Sequence, residues 1–519
     1  MDTISIDGRS LDLEGVARVA RGGARAVLAP AALESMAESR AIVDACVDRG
    51  LVRYGITTGF GKFSDVVISA EDNETLQRNL IMSHACGLGD PFPGEVVRAM
   101  LLLRANALAV GRSGIRPSTV EALVAMLNAG VVPVVPEKGS LGASGDLVPL
   151  AHLVLVLMGM GEAVHRGRRM PGSQALAEAG LKTVTLAAKE GLALINGTQA
   201  MTAVGALASR DALALVEAAE LAAALSFQAL RGITDALDPR IHELRGQGGQ
   251  TASAAALRGL LAGSSLTTRQ GQERVQDAYA LRCVPQVHGA SRDAVEYAAS
   301  VVGRELNAVT DNPLILPNGD IISGGNFHGQ PVALAMDFLG IALCELAGIS
   351  ERRIERLVNP SLSNGLPAFL APRGGLNSGF MISQYTAAAL VSEDKILAHP
   401  ASVDSIPSSA NQEDHVSMGT IAARKARTIL ENTQRVLAIE FLAACQAIDL
   451  RAAAMGRGFP GDGSALTMLS PPTRGAYRAL REKVSFMAED RVLYPDIEAA
   501  RELLIGGGLF TSSELSADG

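Results

Sequence analysis

The stretch TAVGALASRDALALVEAAELAAALSFQALR, residues 202–231, contains no proline and only one glycine. Ala and Leu, which dominate it, are strong helix formers, and the helical pattern already begins near Gln199. Its few charges leave most sides of the helix apolar, so most sides must be buried. At 1.5 Å per residue, a helix from Gln199 to Arg231 is roughly 50 Å long.

The same composition returns in residues 328–358, 384–396 and 416–454. Several long helices that need burial on most sides predict a mainly α protein built around a helix bundle, with burial between subunits as well. The N-terminal part is richer in turns. We therefore predict a smaller mixed domain over residues 1–198 and a long-helix domain over 199–519. At the start, TISIDGRSLDLE (residues 3–14) alternates apolar and polar residues around Asp7-Gly8, which predicts a small hairpin.

Composition narrows the class of protein. The 519 residues include 46 Lys+Arg and 54 Asp+Glu, a net charge of −8 that disfavours non-specific nucleic-acid binding. A hydrophobic fraction of 48 % excludes a disordered chain. The five cysteines form no Cys-x-x-Cys pair, and the histidines form no HExxH motif, so we predict neither disulfides nor a metal site. The opening residues lack a secretory signal, and we expect a cytoplasmic protein.

The segment GSLGASGDLVPL, residues 139–150, carries the most chemical information. Its glycines permit a sharply bent backbone around Ala143-Ser144-Gly145. In such a bend the Gly145 nitrogen can attack the Ala143 carbonyl carbon, and loss of two waters leaves 4-methylideneimidazol-5-one (MIO), a strong electrophile. The alternative is an ordinary turn that Asp146 caps before a buried helix.

The context favours the electrophile. Together with further motifs, this segment resembles the MIO-dependent aromatic amino-acid ammonia-lyases, and the resemblance covers about residues 50–455 in family order. The motifs are YGITTGFG (54–61), SHACG (83–87), NGTQ (196–199), QDAYALRC (276–283), SGGNFH (323–328), SVDSIP (402–407) and NQEDH (411–415). The resemblance implies MIO formed from Ala143, Ser144 and Gly145, with no external cofactor. It also implies the ammonia-lyase/fumarase-like architecture of very long helices.

The resemblance also assigns roles to side chains. Tyr54 would remove the β-proton of the substrate, and Arg282 would hold the substrate carboxylate in a bidentate pair. Asn196, Gln276 and Tyr279 would orient MIO and the substrate. Without the resemblance, each of these residues has an ordinary structural explanation as a cap, a packing residue or a surface ion pair.

Two further residues would also line the site. Phe327 would pack beside MIO, although the sequence alone equally allows a plain core position. At Glu413 the sequence resembles the histidine-type members of the family. Its alternative is a simple ion pair with His415 or a nearby arginine.

We expect few residues to contact the substrate ring and to determine which amino acid binds. The pair Ser83-His84 is similar to the histidine-type pattern, and a carboxylate at Glu413 can accept an imidazole N–H while His84 complements the other ring nitrogen. Beside a phenyl ring the same carboxylate would be desolvated and unpaired. The resemblance therefore implies conversion of L-histidine to trans-urocanate and ammonia. Ala280, Val284 and His288 depart from the histidine-type pattern, and His288, six residues after Arg282, could tune the edge of the pocket.

Two other functions stay open at this point. A tyrosine or phenylalanine ammonia-lyase, or a 2,3-aminomutase, would use the same MIO group. A non-catalytic helical scaffold would keep only the fold. The family assembles as homotetramers with dihedral symmetry, which implies sites shared between subunits and an inactive monomer.

Overall fold

The structure, a computed structural model, describes residues 2–506, and helices make up 58 % of it. The chain forms two compact units, each assembled from three separate segments. Unit 1 contains the residues up to 210, residues 298–337 and residues 400–425. Unit 2 contains residues 211–297, 338–399 and the chain from 426 onward. The division into domains 1–198 and 199–519 stays a prediction.

Unit 1 combines short strands with helices of moderate length. Its elements are β1 (Thr3–Ile6), α1 (Leu13–Ala20), β2 (Arg25–Leu28), α2 (Pro30–Asp48), α3 (Asn73–His84), β3 (Leu88–Pro91), α4 (Gly94–Ala109), α5 (Pro117–Asn128), β4 (Val132–Pro133), β5 (Pro136–Lys138), α6 (Leu147–Leu157), β6 (Glu162–His165), β7 (Arg168–Pro171), α7 (Gly172–Glu178), α8 (Glu190–Ile195), β8 (Leu314–Ile315) and β9 (Ile321–Ile322). The strands pair as β1-β2, β3-β5, β4-β6-β7 and β8-β9. Short 3₁₀ turns lie at Gly61–Phe63 and Ser409–Asn411.

Four long helices contribute residues to both units. They are α9 (Gln199–Ala229), α13 (Val284–Glu305), α14 (Gln330–Val358) and α16 (Gly419–Ala454). The remaining helices of unit 2 are α10 (Pro239–Arg245), α11 (Gly248–Leu261), α12 (Tyr279–Arg282), α15 (Met381–Leu397), α17 (Pro471–Lys483) and α18 (Tyr494–Ile505), with 3₁₀ turns at Thr234–Leu237, Ala368–Leu370 and Ser464–Thr467. The long helices predicted from the Ala- and Leu-rich segments are thus confirmed, as is the mainly α class.

Helices α9 and α14 are long and apolar enough to cross a membrane by length and composition. However, 83 % of the most apolar stretch of α9 and 61 % of that of α14 are buried inside the protein. Apolar side chains that already pack against protein need no lipid to cover them. Packing of the helices therefore accounts for their hydropathy.

The predicted N-terminal hairpin is wrong. Strand β1 pairs in parallel with β2, from Thr3 opposite Arg25 to Ile6 opposite Leu28. The carboxylate of Asp7 accepts hydrogen bonds from the backbone N–H of Arg9 (2.8 Å) and Ser10 (2.9 Å). This Asx turn leads the chain into helix α1 instead of back along β1, so the alternating pattern reports one strand and not two.

Helix α4 forms the centre of unit 1. It packs against α1 and α5, and nearly every residue from Val96 to Ala109 is buried. Two arginines lie in this stretch: Arg98 is half-buried, whereas Arg104 has no exposed surface. Its position directs a guanidinium group toward the backbone that supports the predicted MIO tripeptide.

Candidate active site

The turn that carries Ala143-Ser144-Gly145 depends on two glycines, one directly before the tripeptide and one at its end. Gly142 and Gly145 both adopt φ of +70°, in the left-handed region that favours glycine. A Cβ atom on Gly145 would lie 2.3 Å from the Gly197 carbonyl oxygen. The close approach is fixed by the Asp146 N–H, which donates to that same oxygen at 2.7 Å. The bent backbone predicted for this segment is therefore present.

Asp146 directly precedes helix α6, as expected, but its side chain does not cap that helix. The buried carboxylate accepts hydrogen bonds from Ser140 Oγ (2.8 Å), from the Met201 N–H (2.8 Å) and from Thr420 Oγ1. Burial raises the pKa of this carboxyl above its ordinary value. Asp146 thus ties the tripeptide turn to the first turn of α9 and to the start of α16.

Asn196 follows helix α8 and faces the tripeptide. Its Nδ2 donates a hydrogen bond to the Ser144 carbonyl oxygen at 3.0 Å, and the residue is 3 % exposed. Its own carbonyl oxygen accepts a hydrogen bond from Arg104 Nη1 at 3.0 Å, and the same nitrogen donates to Gln199 Oε1 at 2.6 Å. Burial lowers the pKa of Arg104 to about 10. The Ser144 carbonyl is thus held by a side chain that is itself anchored by a buried cation.

Glu413 reaches the serine that would be modified. Ser144 Oγ donates to Glu413 Oε1 at 2.9 Å, and Ser408 Oγ donates to Glu413 Oε2 at 3.1 Å. The ring of His415 instead stacks on that of His328, with centroids 5.8 Å apart. Within residues 2–506, the carboxylate of Glu413 therefore interacts with the tripeptide and not in a simple ion pair with His415.

His84 is the last residue of helix α3. Its Nδ1 lies 2.8 Å from the Leu80 carbonyl oxygen, which can only accept, so Nδ1 carries the hydrogen and Nε2 is a hydrogen-bond acceptor. Burial lowers the pKa of His84. A neutral ring with an acceptor nitrogen is therefore the form that this environment favours.

Tyr54 accepts a hydrogen bond at its phenolic oxygen from the Gly61 N–H at 3.3 Å. Burial raises the pKa of Tyr54, and the charges of Glu413 and Asp311 raise it further. The residues of a single chain therefore keep the phenol protonated near neutral pH. A nearby cation is needed before Tyr54 can act as a base.

These residues share one cavity of about 1230 Å³, lined by unit 1 alone. Seven of the predicted site residues line it, and Gly145 adjoins them in the chain; the seven are Tyr54, His84, Ala143, Ser144, Asn196, Phe327 and Glu413. A cavity of this size can enclose an amino acid, and its wall combines apolar surface with a few converging polar groups.

The other three predicted residues belong to unit 2. Arg282 Nη1 donates to Gln276 Oε1 at 2.6 Å, and the guanidinium lies 4.7 Å from the centre of the Tyr279 ring. Tyr279 is 69 % exposed. These side chains form a cluster of their own, with a cation and a phenol on the surface of unit 2.

The prediction that His288 tunes the pocket edge is wrong. Its ring has no exposed surface, and its Nε2 lies 3.4 Å from Nη1 of the buried Arg353. Of the other two departures, Ala280 lines a second cavity in unit 2, together with Tyr279. His288 therefore belongs to the packing of unit 2.

Sequence reasoning missed Arg104, although a signal was present. The apolar segment AMLLLRANALAVG, residues 99–111, contains this one charged residue. A charge in a helix that must be buried on all sides has to be satisfied by a buried partner. Ser408, which positions the second oxygen of Glu413, gave no such signal.

This fold of long helices, with a glycine-bent serine turn in the wall of a cavity, belongs to a class of lyases. A family model described as aromatic amino acid lyase matches residues 11–482, and the chain belongs to this family. It is 60 % identical over 509 residues to the histidine ammonia-lyase of Caldanaerobacter subterraneus subsp. tengcongensis, covering 98 % of this chain and 97 % of that protein.

Solved structures of two kinds are similar to this chain. The crystal structure of histidine ammonia-lyase from Trypanosoma cruzi matches with a TM-score of 0.90 and 43 % identity, covering 99 % of this chain and 95 % of that one. The tyrosine aminomutase from Streptomyces globisporus matches with a TM-score of 0.91 and 39 % identity, covering 98 % and 97 %. The fold is therefore shared by enzymes of different reaction outcome.

Proposed function

We propose that this lyase eliminates ammonia from L-histidine and releases trans-urocanate. The observation that carries the proposal is the wall of the cavity, where Glu413 is hydrogen-bonded to Ser144 and His84 lines the same space. The close similarity to a protein named histidine ammonia-lyase supports it.

We further propose that Ala143, Ser144 and Gly145 become the MIO group. The residues fit this group because the turn has glycine where a Cβ atom would collide with backbone, and because the Ser144 side chain reaches the cavity. Once formed, MIO supplies an electrophilic methylidene carbon that turns the amino group into a leaving group. Asn196 would hold the Ser144 carbonyl oxygen in the plane that this ring requires.

His84 and Glu413 would bind the substrate ring. His84 presents an acceptor nitrogen, because its Nδ1–H is committed to Leu80, and the Glu413 carboxylate is also an acceptor. Two acceptors suit a protonated imidazole ring, in which both nitrogens carry hydrogen, and cannot be satisfied by a phenyl group. Leaving a desolvated carboxylate without a partner costs about 1–3 kcal/mol or more, which disfavours phenylalanine.

Tyr54 would take the β-proton of the substrate, and Phe327 would pack along the cavity wall beside the ring. Because burial raises the pKa of Tyr54, the phenol becomes basic only when a cation approaches it. Arg282 is suited to this role and to binding the substrate carboxylate, with Gln276 and Tyr279 beside it.

We propose that these three residues come from a neighbouring subunit of a cytoplasmic homotetramer. Unit 2 supports assembly because it exposes many large apolar side chains, as expected of a surface that another subunit covers. They are Val275, Tyr279, Tyr297, Phe338, Ile341, Leu376, Ile382, Tyr385 and Ile396.

The similarity to a tyrosine aminomutase keeps a second function in view, because an aminomutase or a tyrosine or phenylalanine ammonia-lyase would use the same tripeptide. The deciding experiment is a side-by-side assay of ammonia release from L-histidine, L-tyrosine and L-phenylalanine, with chromatography for β-amino acids. We expect ammonia and urocanate from histidine alone. Release from tyrosine or phenylalanine, or formation of a β-amino acid, would contradict the proposed substrate or reaction.

A further inference from the structure

The hydroxyl group that must leave during MIO formation already has a defined partner. Ser144 Oγ lies 2.9 Å from Glu413 Oε1, at hydrogen-bonding distance. The other carboxyl oxygen is held by Ser408 Oγ at 3.1 Å, and residues 408 and 413 form an antiparallel bridge. The carboxyl group is therefore oriented by its surroundings before any substrate enters the cavity.

We propose that Glu413 is the acid that protonates the Ser144 hydroxyl as it leaves, so that one carboxyl group serves first in building MIO and later in binding the substrate ring. This inference rests on the proposed function, because it concerns the same prosthetic group.

The chemistry balances over two losses of water. In the first, the Gly145 nitrogen bonds to the Ala143 carbonyl carbon, and the Ala143 oxygen leaves as water with the hydrogens of the Gly145 and Ser144 nitrogens. Before the second, Glu413 takes up a solvent proton, and the 2.9 Å hydrogen bond reverses so that the carboxyl group donates to Ser144 Oγ. The Cβ–Oγ bond of Ser144 then breaks while Glu413 gives this proton to Oγ. A solvent water takes the Ser144 Cα proton, the Cα=Cβ bond forms, and Glu413 is left as the carboxylate.

The neighbouring groups are poorly placed for this proton transfer. Asn196 bonds to the Ser144 carbonyl oxygen through an amide, which is not an acid at physiological pH. The Asp146 carboxylate is already engaged by Ser140, Met201 and Thr420. Within residues 2–506, Glu413 is thus the carboxyl group in contact with the leaving oxygen.

The test is the intact mass of the purified chain, which requires no substrate and no activity. Glu413→Gln keeps the size of the side chain and one acceptor oxygen but removes the acid. Asp414→Asn is the matched control, because it makes the same change in charge one residue further on, at an exposed position in the same cavity wall.

We expect the measured masses of the unaltered chain and of Asp414→Asn to be lower, by two water molecules, than the masses calculated from their sequences. Glu413→Gln should lose only one water molecule, because the ring closes but the serine hydroxyl is retained. Complete loss of both waters in folded Glu413→Gln, at the rate of the unaltered chain, would overturn the proposal. Loss of neither water would overturn it as well, because ring closure does not involve the hydroxyl.

A second variant covers the case in which Glu413→Gln does not fold. Glu413→Asp keeps a carboxyl group on a shorter side chain, and we expect it to lose the second water more slowly but completely. Full maturation at the normal rate would count against an acid positioned by this geometry. An unaltered chain that loses no water would refute the proposed function itself, which separates the two failures.

Discussion

Replacing Ser144 by alanine removes one oxygen atom from the cavity wall and little else. The backbone contact of residue 144 with Asn196 does not depend on the hydroxyl. We expect Ser144→Ala to keep the fold but to lose activity on L-histidine by roughly 10³-fold or more, the scale of removing a group that acts in the transition state. Circular dichroism and ammonia release would measure the two effects. Activity within tenfold of the unaltered enzyme would exclude the MIO mechanism.

Two glycines with nearly the same backbone conformation allow the cost of a left-handed φ to be measured separately from the cost of a steric clash. Gly145 has φ of +70°, and a Cβ atom there would lie 2.3 Å from a carbonyl oxygen, whereas Gly130 has φ of +69° and nothing within 4 Å of the same position. Gly130→Ala should cost about 1 kcal/mol through its left-handed conformation alone. Gly145→Ala should cost more than about 2 kcal/mol and block the two losses of water. Equal thermal midpoints and equal masses for the two variants would contradict this account.

At this scale the sequence predicted the residues whose chemistry is unusual. Ser144, Tyr54 and His84 were predicted from the resemblance of several motifs to one family, because each residue alone has an ordinary structural explanation; all three line one cavity. His288 was misplaced because a histidine six residues after Arg282 looks like a pocket residue, whereas helical packing turns its ring toward the buried Arg353. Spacing along the chain does not fix which way a helical side chain points until its neighbours are known.

Helix α4 shows how an element far from the substrate can shape the site. Arg104 donates through Nη1 to the Asn196 carbonyl oxygen, while Arg98 on the same helix donates to backbone carbonyls of Val19 and Ala20. We expect Arg104→Met to lower the free energy of unfolding by about 1–3 kcal/mol, the cost of an unsatisfied buried acceptor, and to slow maturation. Arg98→Met is the matched control.

Thermal unfolding and intact mass distinguish the two arginines. Both substitutions should lower the thermal midpoint, because both remove donors from backbone carbonyls. Only Arg104→Met should leave a fraction of the chain heavier by the waters that maturation removes. If both variants mature to the same extent, Arg104 supports the fold but not the tripeptide.

The sequence predicted secondary-structure elements correctly where burial determines their conformation. It failed where a turn determines which partner a strand pairs with. The long helices followed from apolar composition, because few other structures can bury such segments. Strand β1 was assigned to a hairpin, since the alternation of Thr3–Ile6 says nothing about its partner. The partner was decided by the Asp7 side chain, whose contacts with backbone N–H groups redirect the chain.

Across the whole molecule, buried histidine makes stability depend on pH. His288 is buried beside Arg353 and Arg292, and burial followed by these two charges lowers its pKa well below 6.5. Above pH 6.5 the ring is neutral in both the folded and the unfolded chain. Below it the unfolded chain takes up a proton that the folded chain resists, so stability falls as the pH falls.

His288→Gln should therefore flatten the acid side of the stability profile. The thermal midpoint of the unaltered chain should drop more between pH 7.5 and pH 5.5 than that of the variant. The comparison at pH 7.5 gives the packing cost of the substitution separately, because the ring is neutral there in both states. Parallel profiles for the two proteins would show that His288 does not contribute to acid sensitivity.

The assembly proposed for the site can be tested by mixing defective chains. Tyr54 lines the cavity of unit 1, whereas Tyr279 is exposed on unit 2. Tyr54→Phe and Tyr279→Phe should each be inactive. If each site takes these tyrosines from different subunits, equal co-expression of the two variants produces some sites with both hydroxyl groups. Random assembly predicts recovery of about one quarter of the activity.

The matched control combines Tyr54→Phe with Ser144→Ala. Both positions line the same cavity of one chain, so every site in the mixed oligomer lacks one of the two groups, and no activity should return. Recovery in the first mixture and silence in the second would fit a site completed by a neighbouring subunit. Silence in both mixtures, with oligomers of normal mass, would mean that Tyr279 serves its own chain or no site at all.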